Sequence, residues 1–187
     1  MQYSSLGINS YGWLQEVSAI PSSHYNHRPQ EEISLLVIHN ISLPPGEFKD
    51  DYVCDFFTGK LDPRMHPYFR NISTMEVSSH CFVRRDGEII QFVSFNERAW
   101  HAGVSSFRGR PACNDFSIGI ELEGTDTVPY TLDQYKNLAL LTSTLRKKYP
   151  LITSDRIVGH SDIAPGRKTD PGESFDWNFY LKLLSKP

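Results

Sequence analysis

Residues 33–39 (ISLLVIH) form a short apolar run rich in β-branched side chains and closed by a loop containing Pro44, Pro45 and Gly46. So brief a run, stopped by such a loop, predicts a buried strand and not a helix. Phe116–Glu123 alternates instead. Ile118, Ile120 and Leu122 fall on one face, and Glu121 and Glu123 fall on the other, a face that such a strand usually gives to solvent. Val77–Arg84 and Ile89–Val93 flank Arg85-Asp86-Gly87-Glu88. An Asp-Gly pair between two strand-like runs is a hairpin signal, because glycine tolerates positive φ.

The clearest helical period runs over Thr131–Lys148. Tyr135, Leu138, Leu141, Thr142 and Leu145 form the inward stripe, Thr131 and Gln134 make a capping box, and Lys147 and Lys148 suit the negative end of the helix dipole before Pro150. A short helix capped by Asp50 is expected over Asp50–Phe57, and a short strand over Arg156–Gly159. A last helix is expected over Ser174–Leu184, with Trp177, Leu181 and Leu184 at spacings of four and three. Strands and helices in this order predict one α/β (α+β mixed) domain, a mixed central β-sheet flanked by helices.

With 187 residues the chain is expected to be a single domain, with its core at about 20–184. Hydrophobic residues at 39% and aromatic ones at 12% suffice for that core. A net charge of −3, with both signs mixed along the chain, argues against nucleic acid as a partner, which calls for a basic stripe. No apolar run approaches the length that spans a bilayer. The start, Met1-Gln2-Tyr3-Ser4-Ser5-Leu6-Gly7, has no basic segment leading into an apolar one, so no secretory signal is read there. Cys54, Cys81 and Cys113 are far apart and odd in number, which suits free thiols in a reducing compartment. A cytoplasmic monomer is the expectation.

Seven histidines are present, and two of them, His39 and His160, close predicted strands. Asp170 follows ten residues after His160 in Arg167-Lys168-Thr169-Asp170-Pro171-Gly172. Two imidazoles and a carboxylate suit zinc with one position left open. Spacing alone does not separate that reading from hydrogen-bonded core histidines and an ordinary Asp-Pro-Gly turn. His24 and His27 have ligand-like spacing but lie in a Pro-flanked loop. His80 and Cys81 are adjacent on a strand and point to opposite faces, which argues against a Cys-His pair. Trp100-His101 reads equally well as core or as a substrate platform. Lys168 reads from pattern as an exposed loop lysine, or as a group on the same side as Asp170.

Six ordered stretches shift this balance: LLVIHNISLPPGEF, FTGKLDP, SSHCFVRRDGEIIQFV, RAWHAGVS, CNDFSIGIELEGTD and GHSDIAPGRKTDPG. Through them the chain resembles the AmpD branch of the type-2 N-acetylmuramoyl-L-alanine amidases, from about residue 20 to the last helix. The resemblance implies one zinc per chain on His39, His160 and Asp170. It implies a catalytic glutamate at Glu121, where periodicity does not choose between Glu121 and Glu123, and a catalytic lysine at Lys168. Asn40 and Trp100 match positions that resemble substrate-contacting ones. The implied substrate is a small muropeptide, cut between the lactyl group of 1,6-anhydro-N-acetylmuramic acid and L-alanine during peptidoglycan recycling, with an indirect effect on β-lactamase induction. Against it stand an exported amidase and a non-catalytic wall-binding relative. Relatives of this branch carry basic residues where this chain has Glu76 and Ala112. Arg108 and Arg110 lie near in sequence and are candidates to replace them.

Overall fold

The computed structural model describes residues 3–48 and 50–185, so Met1, Gln2, Lys49, Lys186 and Pro187 lie outside the described residues. The fold is built on two parallel neighbours. Strand β3 (Leu35–Ile41) lies against β9 (Ser117–Glu123), with Ile38 opposite Ile120 and His39 opposite Glu121. In between come β4 (Cys81–Val83), β5 (Ile89–Gln91), β6 (Glu97–Ala99), β7 (Ser106–Phe107) and β8 (Arg110–Pro111). Ahead of β3 lie β1 (Ser18–Ala19) and β2 (Tyr25–His27), and after β9 comes β10 (Ile157–Gly159). The six-stranded sheet runs β1-β5-β4-β9-β3-β10, and only the β4–β5 hairpin in it is antiparallel. Gly87 turns that hairpin with φ +88°. This is the mixed α/β architecture that the periodicity predicts.

Among the described residues four α-helices complete the fold: α1 (Tyr52–Phe57), α2 (Leu132–Lys148), α3 (His160–Ile163) and α4 (Trp177–Leu184). The capping box at Thr131 and Gln134 is present, and every residue of the expected α2 stripe is buried. One face of the sheet, through Leu36, Ile38, Ile118, Ile120 and Leu122, packs in a common core with Leu138, Leu141 and Leu145 of α2 and Tyr180 of α4. The other face meets two smaller clusters, one around Phe56, Phe57, Phe69 and Phe82 and one around Val37, Ala102, Cys113 and Phe116.

Several expectations need correcting. The first helix is capped by Asp51, not Asp50, and without a side-chain bond. The last begins at Trp177 under an Asp176 cap, and Leu181 is 42% exposed while Tyr180 turns inward. Glu121 and Glu123 are both buried, because β9 sits mid-sheet with protein on both faces. The stretch holding His24 and His27 is partly a strand, since β2 pairs with β6. The packed core also begins before residue 20. Leu14 is buried, and Tyr3, Leu6, Ile8 and Val17 pack against the α2 side of the sheet. The amide of Gln91 holds this segment, taking the Leu14 N–H at 2.7 Å and donating to the Gly12 carbonyl at 2.9 Å. No helix among the described residues is long and apolar enough to cross a membrane.

Candidate active site

Three parallel strands deliver their carboxyl ends to one place. His39 is near the end of β3, His160 follows β10 as the first residue of α3, and Glu121 faces His39 across the β3–β9 ladder. Crevices at the carboxyl ends of parallel strands are where such sheets bind ligands. Asp170 arrives from the loop after α3, whose course is fixed by the Ser161 N–H donating to the Asp170 carbonyl at 3.0 Å.

His39 Nδ1, His160 Nδ1 and Asp170 Oδ2 are 3.0 Å apart in each of the three pairings. Both imidazoles are buried and the carboxylate is half-buried. His160 Nε2 faces the Ala102 carbonyl at 3.1 Å, so it carries the proton and Nδ1 does not. His39 Nε2 lies 2.9 Å from His101 Nδ1, and His101 Nε2 lies 3.0 Å from Ser117 Oγ. That relay accommodates a proton on His39 Nε2 and leaves His39 Nδ1 bare. Three lone pairs then converge, which a shared cation satisfies and which outer hydrogen bonds of this kind commonly support. Burial drives His39 down to about 4, against the Asp170 carboxylate, which favours a protonated ring. Burial alone would raise Asp170, but the His160 and His39 rings beside it, which donate to its carboxylate whenever the nitrogens facing it are protonated, hold it well below the usual carboxylate range. Neutral imidazole beside ionised carboxylate is the state metal binding requires.

The triad lies in a groove of about 400 Å³ that is also lined by Glu121, Lys168, Asn40, Trp100, His101 and an apolar arm including Phe57, Tyr68 and Met75. Burial pushes Glu121 well above the usual carboxyl range, the charge of Asp170 adds to this, and Lys168 opposes it. Its Oε2 is buried and has no hydrogen-bond partner among the described residues. Lys168 is exposed at the rim. The Trp100 indole donates to Asn26 Oδ1 at 2.7 Å and lies parallel to the His24 ring, with centroids 6.2 Å apart.

Other expectations fare differently. Both N–H donors of Asn40 are engaged, with Asp126 Oδ1 at 2.8 Å and the Pro171 carbonyl at 3.1 Å. His24 and His27 stand apart from the triad, held by the Val77 carbonyl and by Glu97. Arg108 pairs with Asp155 and Arg110 with Glu32, and neither lines the groove. Sequence reasoning missed Asp126 and left His101 open. Gly119 was a signal for His101, because a Cβ there would stand 2.4 Å from that ring.

A His-His-carboxylate cluster in a groove, beside a buried carboxyl group and a lysine, is the layout of a metal-dependent hydrolase. The comparisons narrow that class. The family model Amidase_2, N-acetylmuramoyl-L-alanine amidase, matches residues 29–173, and the chain belongs to this family. It is 58% identical over 175 residues, 93% of each chain, to the 1,6-anhydro-N-acetylmuramyl-L-alanine amidase AmpD of Citrobacter freundii. It is 58% identical over 174 residues to the AmpD of Haemophilus influenzae, covering 92% of this chain and 95% of the relative. The crystal structure of a selenomethionine AmpD derivative superposes with a TM-score of 0.92 at 56% identity, covering 95% of this chain and 99% of the other.

Proposed function

We propose that the protein hydrolyses the amide bond between the lactyl group of 1,6-anhydro-N-acetylmuramic acid and the L-alanine of a stem peptide. The observation that carries this reading is the convergence of His39 Nδ1, His160 Nδ1 and Asp170 Oδ2 beside the buried Glu121. The amidase names of relatives matched over nearly their whole length support the substrate. His39, His160 and Asp170 would hold one zinc ion per chain. When bound, zinc would supply Lewis acidity toward the scissile carbonyl and make water far easier to deprotonate.

The side chains do the rest. Glu121 takes a proton from the attacking water and returns it to the departing alanine nitrogen, a role suited to a carboxyl group that burial keeps basic. The Lys168 ammonium, at the groove rim, stands by the oxygen that gains negative charge. Trp100 offers an indole face to the sugar. In this reading the enzyme works as a cytoplasmic monomer on small imported wall fragments, and clearing those fragments damps β-lactamase induction.

Matched anhydro and reducing-end muropeptides, digested side by side and read by mass spectrometry, test the proposal. The anhydro substrate should be cut preferentially, one zinc should be bound per chain, and chelation should abolish turnover. His39→Ala should lose the metal. Glu121→Ala should keep it and lose about 10² to 10⁴-fold in turnover, while Glu123→Ala stays mild. Lys168→Ala should keep the metal and cost about 3 kcal/mol of transition-state stabilisation. Full activity after complete removal of metal would sink the mechanism. Equal cleavage of both sugars would sink the recycling role.

A further inference from the structure

Asp126 bridges the chain neighbours of two triad residues. Its Oδ1 accepts from Asn40, the residue after His39, at 2.8 Å. Its Oδ2 accepts from the hydroxyl of Thr169, the residue before Asp170, at 2.5 Å. Its carbonyl takes the Ser174 N–H at 2.9 Å, which closes the loop from the far side. Pro171, the residue after Asp170, is held in turn: its carbonyl accepts from Asn40 Nδ2 at 3.1 Å and from the Tyr130 hydroxyl at 2.7 Å. Gly172, at φ +81°, lies so close that a Cβ there would stand 2.1 Å from Asp126 Cα. Each carboxylate oxygen thus serves a different segment, one the rigid end of β3 and the other the loop that carries Lys168 and Asp170.

A loop residue 131 positions from His39 along the chain has no intrinsic reason to hold its carboxylate within 3.0 Å of that ring. Ordering each backbone residue costs about 1–2 kcal/mol, so such a loop keeps one geometry only when cross-links fix it. We infer that Asp126 is a positioning residue that clamps the Asp170 loop onto β3, and that Asn40 acts through this clamp with both of its N–H donors. The inference rests on the reading that Asp170 is a metal ligand. It also assigns the Gly124-Thr125-Asp126 turn after β9 a task distinct from that of Glu121 on the same strand.

The experiment measures zinc affinity, by competition with a chromophoric chelator, together with kcat and KM, for the full chain and its variants. Asp126→Ala should bind zinc about 10 to 100-fold more weakly. Its kcat should fall with KM little changed, because Asp126 does not line the groove. Asp126→Asn, which keeps one acceptor oxygen, should recover part of the loss. The loss in Asn40→Ala combined with Asp126→Ala should be smaller than the product of the two single losses, because the two residues share one bond while Asn40 makes another of its own to the Pro171 carbonyl. Should Asp126→Ala fail to fold, Thr169→Val removes one hydroxyl at an exposed position, and weaker zinc binding there supports the clamp. Zinc affinity and kcat within twofold of wild type in folded Asp126→Ala, or in Thr169→Val where the former does not fold, would overturn it. So would an Asn40→Ala effect confined to KM that multiplies with Asp126→Ala. A wild-type protein that binds no zinc would overturn the metal reading itself, an outcome distinct from variants that match a zinc-binding wild type.

Discussion

At the residue scale the site depends on imidazoles kept neutral by burial. His80 shows this away from the triad. Its Nδ1 accepts the Gly119 N–H at 3.0 Å, so its Nε2 carries the proton toward the Glu97 carbonyl at 3.1 Å. Arg28 and the His101 ring face it from the neighbouring segments. Burial first, and the charge of Arg28 next, hold His80 well below its ordinary 6.5. A depressed folded value contributes stability that is present above the unfolded value and lost as pH falls toward the folded one. Metal-free protein should therefore lose stability from about pH 6.5 downward, by up to about 1.4 kcal/mol per pH unit for each such proton. Urea midpoints for wild type and His80→Asn at pH 7 and pH 5 check this. The variant, whose amide oxygen can accept the Gly119 N–H, should show the shallower decline; parallel curves would exclude His80 as a cause.

At the element scale β9 does most of the positioning. Its alternation of Ile118, Ile120 and Leu122 was readable because period two survives burial. The pattern leaves the opposite face undecided, because a local period does not say whether a second layer covers the strand. Ser117, Gly119 and Glu121 share that covered face, and each serves the site: Ser117 meets His101, Gly119 clears room for its ring, and Glu121 lines the groove. Gly119→Ala should place a methyl group 2.4 Å from the ring carbon of His101. With the His39–His101 contact displaced, zinc affinity should fall about 10-fold or more, read by chelator competition. Unchanged affinity would mean that His101 leaves the tautomer of His39 unaffected. Asp126 and His101 were hard to read for a related reason. Their partners lie 43 to 86 positions away for Asp126, and 62 away for the His39 contact of His101, so only the folded topology joins them. The triad was easier, because the ordered motifs around His39, His160 and Asp170 carried the resemblance. Strands of two or three residues, such as β1, β7 and β8, are too short to show any period.

At the scale of the whole molecule, the residues before 20 are part of the structure that supports the site, although the six ordered stretches that carry the resemblance begin later. Leu14 is 5% exposed, and its N–H is tied to Gln91 at the far end of β5. Leu14→Ala should cost about 2–5 kcal/mol, and deletion of residues 1–17 should cost more, measured as shifts in thermal and urea midpoints. A deletion variant as stable as the full chain would show that the segment merely lies on the surface. The three cysteines offer a different kind of handle. Cys81 and Cys113 are fully shielded and Cys54 nearly so, and burial pushes all three thiols toward the unreactive protonated form. A thiol-reactive dye added to native protein therefore has little to label until the chain opens. The rate of dye uptake becomes a clock for opening events, with one thiol in each of the three packed clusters reporting on its own region.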